Sequence, residues 1–232
     1  MYSDFYPSVL HPFYFIRRSL FAEIRKHASR LKGNMLDFGC GSKPYEGLFT
    51  VEQYTGIDFY NEGHPHDNER IDVFYDGKHI PFPDNHFDSV LCTEVFEHVF
   101  NLEQVIQELY RVMKNDSMLL ITCPFVWNEH EVPYDYARYT RFALKDLMEK
   151  QGFEILEYSK SGNFVTTLFQ LWNLYWYTVL YNKVKNNVFL RWIYKLGFIL
   201  PVNLGGKLLN ALLPANNSLY LNNVLLVKKP GV

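Results

Sequence analysis

The chain has 232 residues, 48% of them hydrophobic and 21% charged, a balance that permits a sizeable core and excludes wholesale disorder. Its formal net charge of −2 argues against a nucleic-acid binder with a globally basic surface. The sum hides two unlike parts. After Glu157 there is no acid and eight Lys or Arg, whereas the residues up to Glu157 carry the other 15 basic and all 25 acidic side chains, a net −10.

In chain order, the N-terminal stretch is broken by Pro7, His11 and Pro12 and lacks the basic start and unbroken apolar run of a signal peptide. Residues 13–31 place Phe13, Ile16, Leu20, Ile24, Ala28 and Leu31 at helical spacing, and Gly33 ends the segment. Strands are predicted at 34–38, 53–57, 71–74, 87–92, 118–122, 153–158 and 219–227. Amphipathic helices are predicted at 102–113 and 141–150, the second closed by Gly152. Strands alternating with helices predict an α/β fold whose parallel sheet is wound on both sides, with ligands beyond the carboxyl ends of the strands. Cys40, Cys92 and Cys123 are far apart and form no CxxC pair. They indicate neither a disulfide framework nor a structural zinc site, and no metal ligands are predicted. Packing in a reducing, cytoplasmic compartment is the expectation.

Met35-Leu36-Asp37-Phe38-Gly39-Cys40-Gly41 is a strand feeding a glycine turn, and Asp58 ends the next strand. Glycines there let the backbone turn sharply and a ligand come close, and a carboxylate at the second strand end can accept two ribose hydroxyls. Position 44 is Pro, so the third glycine of a dinucleotide fingerprint is missing, as is the Gly-Lys-Ser/Thr of a P-loop. A nucleoside ligand without a pyrophosphate fits better.

Asp37 through Gly41 with Asp58 resembles the first two motifs of class I S-adenosylmethionine-dependent methyltransferases. The stretch Asp76–Asp88, then Glu94-Val95-Phe96-Glu97-His98-Val99 and Glu108–Lys114, is similar to the type 11, small-molecule branch of that superfamily. The resemblance covers roughly residues 33–158 and returns at the last strand. Ser42-Lys43-Pro44 departs from the usual glycine-rich continuation. The resemblance implies a Rossmann-like, doubly wound, seven-stranded sheet, mostly parallel with an antiparallel last strand, and S-adenosyl-L-methionine as cofactor. It implies that Asp37 receives the cofactor's amino group and that Gly39 and Gly41 lie along its methionine and ribose. Asp58 would bind the ribose hydroxyls. Asp76 would accept the adenine amine, with Asp72 as its rival and a plain turn as the alternative. Thr93 and Glu94 would face the methyl-donor pocket.

The segment 124–140 holds the densest polar chemistry. His130-Glu131-x-Pro133-Tyr134-Asp135-Tyr136-x-Arg138-Tyr139-Thr140 resembles a block of that branch found among enzymes of glycan and secondary metabolism. His130 and Asp135 are the candidate catalytic residues, His130 as a general base. Tyr134, Arg138, Tyr139 and His98 are candidate substrate contacts. A structural Asp135–Arg138 ion pair, and packing roles for Tyr139 and His98, stay open. Cys92-Thr93-Glu94-Val95 stands where an Asn/Asp-Pro-Pro-Tyr motif for nucleobase methylation would be. The expected acceptor is therefore a small molecule, sugar or lipid-linked glycan, methylated at oxygen, with no nucleic-acid partner. A binding or membrane-surface protein on this fold without turnover is the alternative.

One domain is expected over 1–232: an N-terminal helical segment (1–32), a cofactor core (33–160), an apolar, basic helical insertion (161–218) and the last strand (219–228). Residues 161–182 carry no charge. Asn163, Thr166, Thr167, Gln170, Asn173 and Thr178 fall in an arc of about 140° on a helix, the rest being aromatic and aliphatic. Peripheral contact of 161–200 with the inner membrane surface, a cap over the substrate pocket, a homodimer interface and a spanning hairpin are the readings left open.

Overall fold

The computed structural model describes residues 5–60 and 69–231. Where the sequence predicted one domain throughout, the chain divides into two compact units. Glu23–Ser159 with the chain from Asn223 onward forms a sheet unit, and Lys160–Asn222 with the described residues up to Ala22 forms a helical unit.

The first helix is α1 (Tyr14–His27). The strands are β1 (Asn34–Phe38), β2 (Gln53–Phe59), β3 (Val73–Tyr75), β4 (Phe87–Thr93), β5 (Met113–Pro124), β6 (Glu154–Ser161) and β7 (Asn222–Lys228). They form a seven-stranded sheet in the order β3-β2-β1-β4-β5-β7-β6. The pairs β2–β3, β1–β2, β1–β4 and β4–β5 are parallel, and the last strand is antiparallel. Met35, Leu36 and Phe38 of β1, and Val90, Leu91 and Cys92 of β4, are fully buried or nearly so. Central parallel strands covered on both faces read as continuous apolar runs, because no face meets water. In α2 (Leu102–Val112), Leu102, Val105, Ile106, Leu109 and Val112 form one buried stripe, the spacing of a helix laid on a sheet. Thr140 caps α3 (Arg141–Lys150), its hydroxyl accepting from the Ala143 amide.

Several strand bounds shift: β6 runs to Ser161 rather than Tyr158, β7 starts at Asn222 rather than Leu219, and two further shifts have a visible cause. The third strand starts at Val73 rather than Ile71. Asp72 precedes it, its amide donating to the Gly56 carbonyl. The fifth strand starts at Met113 rather than Met118. There the buried Lys229 ammonium donates to the carbonyls of Tyr110 and Met113 and to Asn85 Oδ1, tying the start of β5 to the chain after β7. Between β1 and β2 the described chain makes a 3-10 turn (Glu46–Leu48) in place of a crossover helix.

In the helical unit, α4 (Phe164–Trp176) opens with a capping box between Asn163 and Thr166. A π turn, α5 (Asn182–Val184), α6 (Val188–Tyr194), a second π turn and α7 (Leu200–Leu212) follow. The stripe of polar residues points inward. Thr167, Gln170 and Asn173 of α4 and Asn203 of α7 are fully buried, whereas Leu168, Trp172 and Tyr175 of α4 are about half exposed. Gln170 accepts from the Ile16 amide and donates to the Pro12 carbonyl. Asn173 donates to Asn203, which donates to the carbonyls of Val9 and His11.

Candidate active site

Register puts the carboxyl ends of four strands on one edge: Phe38 lies opposite Ile57 and Cys92, and Thr93 opposite Thr122. Asp37, Asp58 and Thr93 lie at the ends of β1, β2 and β4, Asp76 follows the neighbouring β3, and the other candidate site residues follow β1, β4 or β5. After β1 the chain turns through Gly39 at φ 71° and Gly41 at φ 45°. A Cβ at Gly39 would lie 2.2 Å from Val95 Cγ2, so glycine is needed both for the turn and for the approach of the segment after β4. The Gly41 amide donates to Asp58 Oδ2 at 2.8 Å and the Phe59 amide to Asp58 Oδ1 at 2.8 Å, which aims this carboxylate across the glycine turn.

Asp37 is almost wholly buried. Tyr54 donates its hydroxyl to Oδ2, and Oδ1 has no hydrogen-bond partner among the described residues. Burial pushes the Asp37 carboxyl up to about 7, against the pull of the Tyr54 hydrogen bond. Such an orphaned acid beside a glycine cradle fits a cationic group arriving with a ligand. The Ser42-Lys43-Pro44 departure also finds its role here. Lys43 is buried at φ 55°, and its ammonium pairs with Asp72 Oδ2, which also accepts from the Gly56 amide. Asp72 thereby braces the turn through Oδ2. Asp76, fully exposed beyond β3, accepts from the amides of Lys78 and His79 through Oδ1, which is turn chemistry.

The second half of the site follows β4 and β5. Glu94 sits at φ 55°, a left-handed backbone that costs a non-glycine residue on the order of 1 kcal/mol. Its amide donates to the Thr122 carbonyl and its Oε1 accepts from the Thr122 hydroxyl. Three residues on, Glu97 is completely buried, and neither carboxylate oxygen has a hydrogen-bond partner among the described residues. Burial first, then Glu94 beside it, pushes the Glu97 carboxyl well above its usual range. His98 Nε2 lies 3.2 Å from His130 Nε2, and 3.7 Å from both Glu97 Oε1 and Glu131 Oε2.

The loop that brings His130 here is braced by two residues predicted to act directly. Arg138 holds both oxygens of Asp135, at 2.6 and 2.8 Å, and donates to the Asn128 carbonyl. The His130 amide donates to Asp135 Oδ2. Burial raises the Asp135 carboxyl, but Arg138 and the His130 amide outweigh it and hold it at about 2. An acid that weak as a base, with both oxygens occupied, positions His130 and does not move a proton at neutral pH. The catalytic assignment of Asp135 is corrected accordingly, and Arg138 is its structural partner. Tyr139 is half-buried, packs against the core and accepts from Asn223 through its carbonyl. Tyr134 reaches the cluster through its carbonyl, 2.7 Å from His98 Nδ1, while Thr93 lies half-buried at the end of β4. All three cysteines are buried, with their thiols pushed up chiefly by burial.

Residues missed by sequence reasoning are Tyr54, Lys43 and Glu97. Glu97 had a signal: a carboxylate between Phe96 and His98 in a segment otherwise bound for the core.

Residues 36–121 match the family model described as a methyltransferase domain, type 11. An uncharacterized protein of Methanocaldococcus jannaschii is 35% identical over 99 residues, a stretch covering 40% of this chain and 41% of that protein. The chain thus matches about two fifths of that relative's length. Among solved structures, a SAM-dependent methyltransferase from Archaeoglobus fulgidus superposes with a TM-score of 0.56 at 19% identity, covering 98% of this chain and 97% of that one. Haemonchus contortus phosphoethanolamine N-methyltransferase 2, in complex with S-adenosyl-L-methionine, gives 0.57 at 16%, over 99% and 56%. The cyclase SpnF gives 0.57 at 19%, over 92% and 81%. At these identities the structures establish the fold. Residues 36–121 are a methyltransferase domain of the type 11 branch, set in a class I methyltransferase fold.

Proposed function

We propose that the protein transfers a methyl group from S-adenosyl-L-methionine to the hydroxyl of a small-molecule, sugar or lipid-linked glycan acceptor. The observation that carries this reading is the cradle at the ends of β1 and β2, where the Gly39–Gly41 turn stands against the Asp58 carboxylate with the orphaned Asp37 acid behind it. Asp58 would bind the ribose hydroxyls and Asp37 the amino group. Asp76, exposed beyond β3, would accept the adenine amine. Thr93 and Glu94 would line the approach to the reacting methyl group. When bound, the cofactor supplies a methyl group on a sulfonium, already a good leaving group. What remains for the chain is to align the acceptor oxygen, exclude water and dispose of the hydroxyl proton. Alignment of this kind contributes about 7–11 kcal/mol at best. His98 and His130 are placed to handle the proton, with the Asp135–Arg138 pair holding His130 in position. Calorimetric titration with S-adenosyl-L-methionine tests the reading. Binding by the wild type that falls on the order of 100-fold in Asp58→Ala is expected from the loss of two charge-assisted hydrogen bonds. Absence of binding to the folded protein would sink it. Binding with no methylated product from any hydroxyl acceptor would leave the turnover-free alternative.

We further propose that the helical unit rests on the cytoplasmic face of a membrane. The inward polar residues and outward Leu168, Trp172 and Leu208 support this, as does the acid-free, basic tail. Val188–Leu212 is a 25-residue helical stretch, long and apolar enough to cross a membrane. Arg191, Lys195 and Lys207 within it suit an interfacial placement beside anionic lipid better than a crossing. Flotation with anionic and with neutral vesicles is the test. Co-flotation with the anionic vesicles, weakened in Trp172→Glu/Leu208→Glu, is expected. A stable dimer in solution that ignores both vesicles would assign the same surface to self-association instead.

A further inference from the structure

We infer that Glu97, His98 and His130 form a binding site for a divalent transition-metal cation. His98 Nδ1 lies 2.7 Å from the Tyr134 carbonyl. A carbonyl only accepts, so Nδ1 carries the hydrogen and Nε2 presents a lone pair. His130 Nδ1 faces two acceptors, the Asn128 carbonyl at 3.3 Å and Asp135 Oδ2 at 3.4 Å, and one more distant donor, the Arg138 guanidinium at 3.5 Å. With the hydrogen on Nδ1 of both rings, the two Nε2 lone pairs face each other at 3.2 Å, and a cation between them satisfies both. Orientation of a ring by a hydrogen bond from its far nitrogen is the usual support of a metal-ligating histidine.

The spacing agrees. Two ligand atoms each about 2.1 Å from one ion stand roughly 3.0 Å apart at a right angle and 3.4 Å apart at a tetrahedral angle. The candidate ligand atoms of Glu97, His98 and His130 all lie within 4.8 Å of one another. The independent observation is Glu97. A fully buried carboxylate with neither oxygen hydrogen-bonded among the described residues is costly unless something charged meets it. Glu94 and Glu131 make the surroundings more negative still. Two imidazoles with one carboxylate suit zinc, manganese, iron or cobalt, whereas calcium and magnesium favour oxygen donors throughout. No metal pattern showed in the sequence because the ligands come from the ends of two different strands, 32 residues apart at His98 and His130.

For the reaction, this rests on the methyl-transfer reading above. Three protein ligands leave coordination positions open, and a hydroxyl placed there would give up its proton to water far more readily. The acceptor oxygen would then bond to the methyl carbon as the carbon–sulfur bond breaks, the electron pair staying on sulfur. His130 acts in this scheme as a ligand and not as a base.

The test titrates Co2+ and Zn2+ into metal-stripped protein, following heat and the Co2+ visible spectrum, for wild type, Glu97→Gln and His130→Ala. S-adenosyl-L-homocysteine is titrated into the same samples without metal. One ion per chain in the wild type is expected, weakened about 10- to 100-fold or more in each variant, with homocysteine-derivative binding unchanged. Glu97→Gln keeps the side-chain shape, so it reports on ligation even where His130→Ala loosens the loop. No uptake of either ion by the folded wild type, or equal uptake by all three proteins, overturns the site. Ion uptake without S-adenosyl-L-homocysteine binding upholds the site and counts against the methyl-transfer reading.

Discussion

The two units differ in what they leave outside and in how their buried polar groups are partnered. In the sheet unit, Leu36, Phe38, Val90 and Ile106 lie inside, and two buried carboxylates, Asp37 and Glu97, keep oxygens with no hydrogen-bond partner among the described residues. In the helical unit, Gln170, Asn173 and Asn203 lie inside, and Trp172, Phe189 and Leu208 face outward. The first pattern is what water imposes on a chain. The second sets polar groups inside beside Leu174 and Ile199 and leaves large apolar side chains outside, the kind of surface that marks an interaction site. Gln170 and Asn203 of the helical unit bond to the chain near its start, as Lys43 and Lys229 brace the sheet unit. Asp37 and Glu97 instead stand apart, with those unpartnered oxygens at the site.

Gly39→Val should break the sheet unit's side of that contrast most severely. The branched side chain meets Val95 and the backbone sits at φ 71°. A loss of about 2–5 kcal/mol in urea denaturation is expected, with cofactor binding lost. In the helical unit, Gln170→Leu leaves the Ile16 amide and the Pro12 carbonyl unpaired and should cost about 1–3 kcal/mol by the same measurement, although it makes the buried position more apolar. A stabilised variant would contradict the claim that the inward polar residues hold this unit together.

Asp37 sharpens the comparison through pH. Its folded acid titrates near 7, raised from 3.8. The protonated form therefore stabilises the unliganded fold, an advantage complete below pH 3.8 and lost as pH rises through 7. An arriving ammonium needs the ionised form. Affinity for S-adenosyl-L-homocysteine should thus fall by up to about tenfold per unit below pH 7, and Asp37→Asn should flatten that profile in calorimetry. The smallest expected effect is that of Leu208→Glu, which alters stability by less than about 0.5 kcal/mol because the side chain is 60% exposed.

The β1–β2 half of the site was legible in the sequence because backbone builds it. Gly39, Gly41 and Asp58 act through turn geometry at strand ends, and both are local properties. The loop 124–140 was legible in its chemistry but not in its division of labour. Asp135 reads as a catalytic acid until Arg138 is seen occupying both its oxygens, a pairing at i, i+3 that the residue types alone leave open. The states of Glu97 and Lys43 depend on the folded surroundings: Lys43 pairs with Asp72, 29 residues on, and Glu97 is raised by burial and by Glu94 beside it. The helical insertion's periodicity was correct, but a polar arc does not say which side faces in. That was set by Pro12 and Ile16, more than 150 residues away.

The most direct test is a crystal structure with S-adenosyl-L-homocysteine bound. The account predicts both ribose hydroxyls hydrogen-bonded to Asp58, with the Gly41 amide released from it, and the amino group reaching Asp37 directly or through one water. A ligand bound elsewhere, or bound here with Asp58 still held by Gly41 and untouched by the ribose, would contradict it.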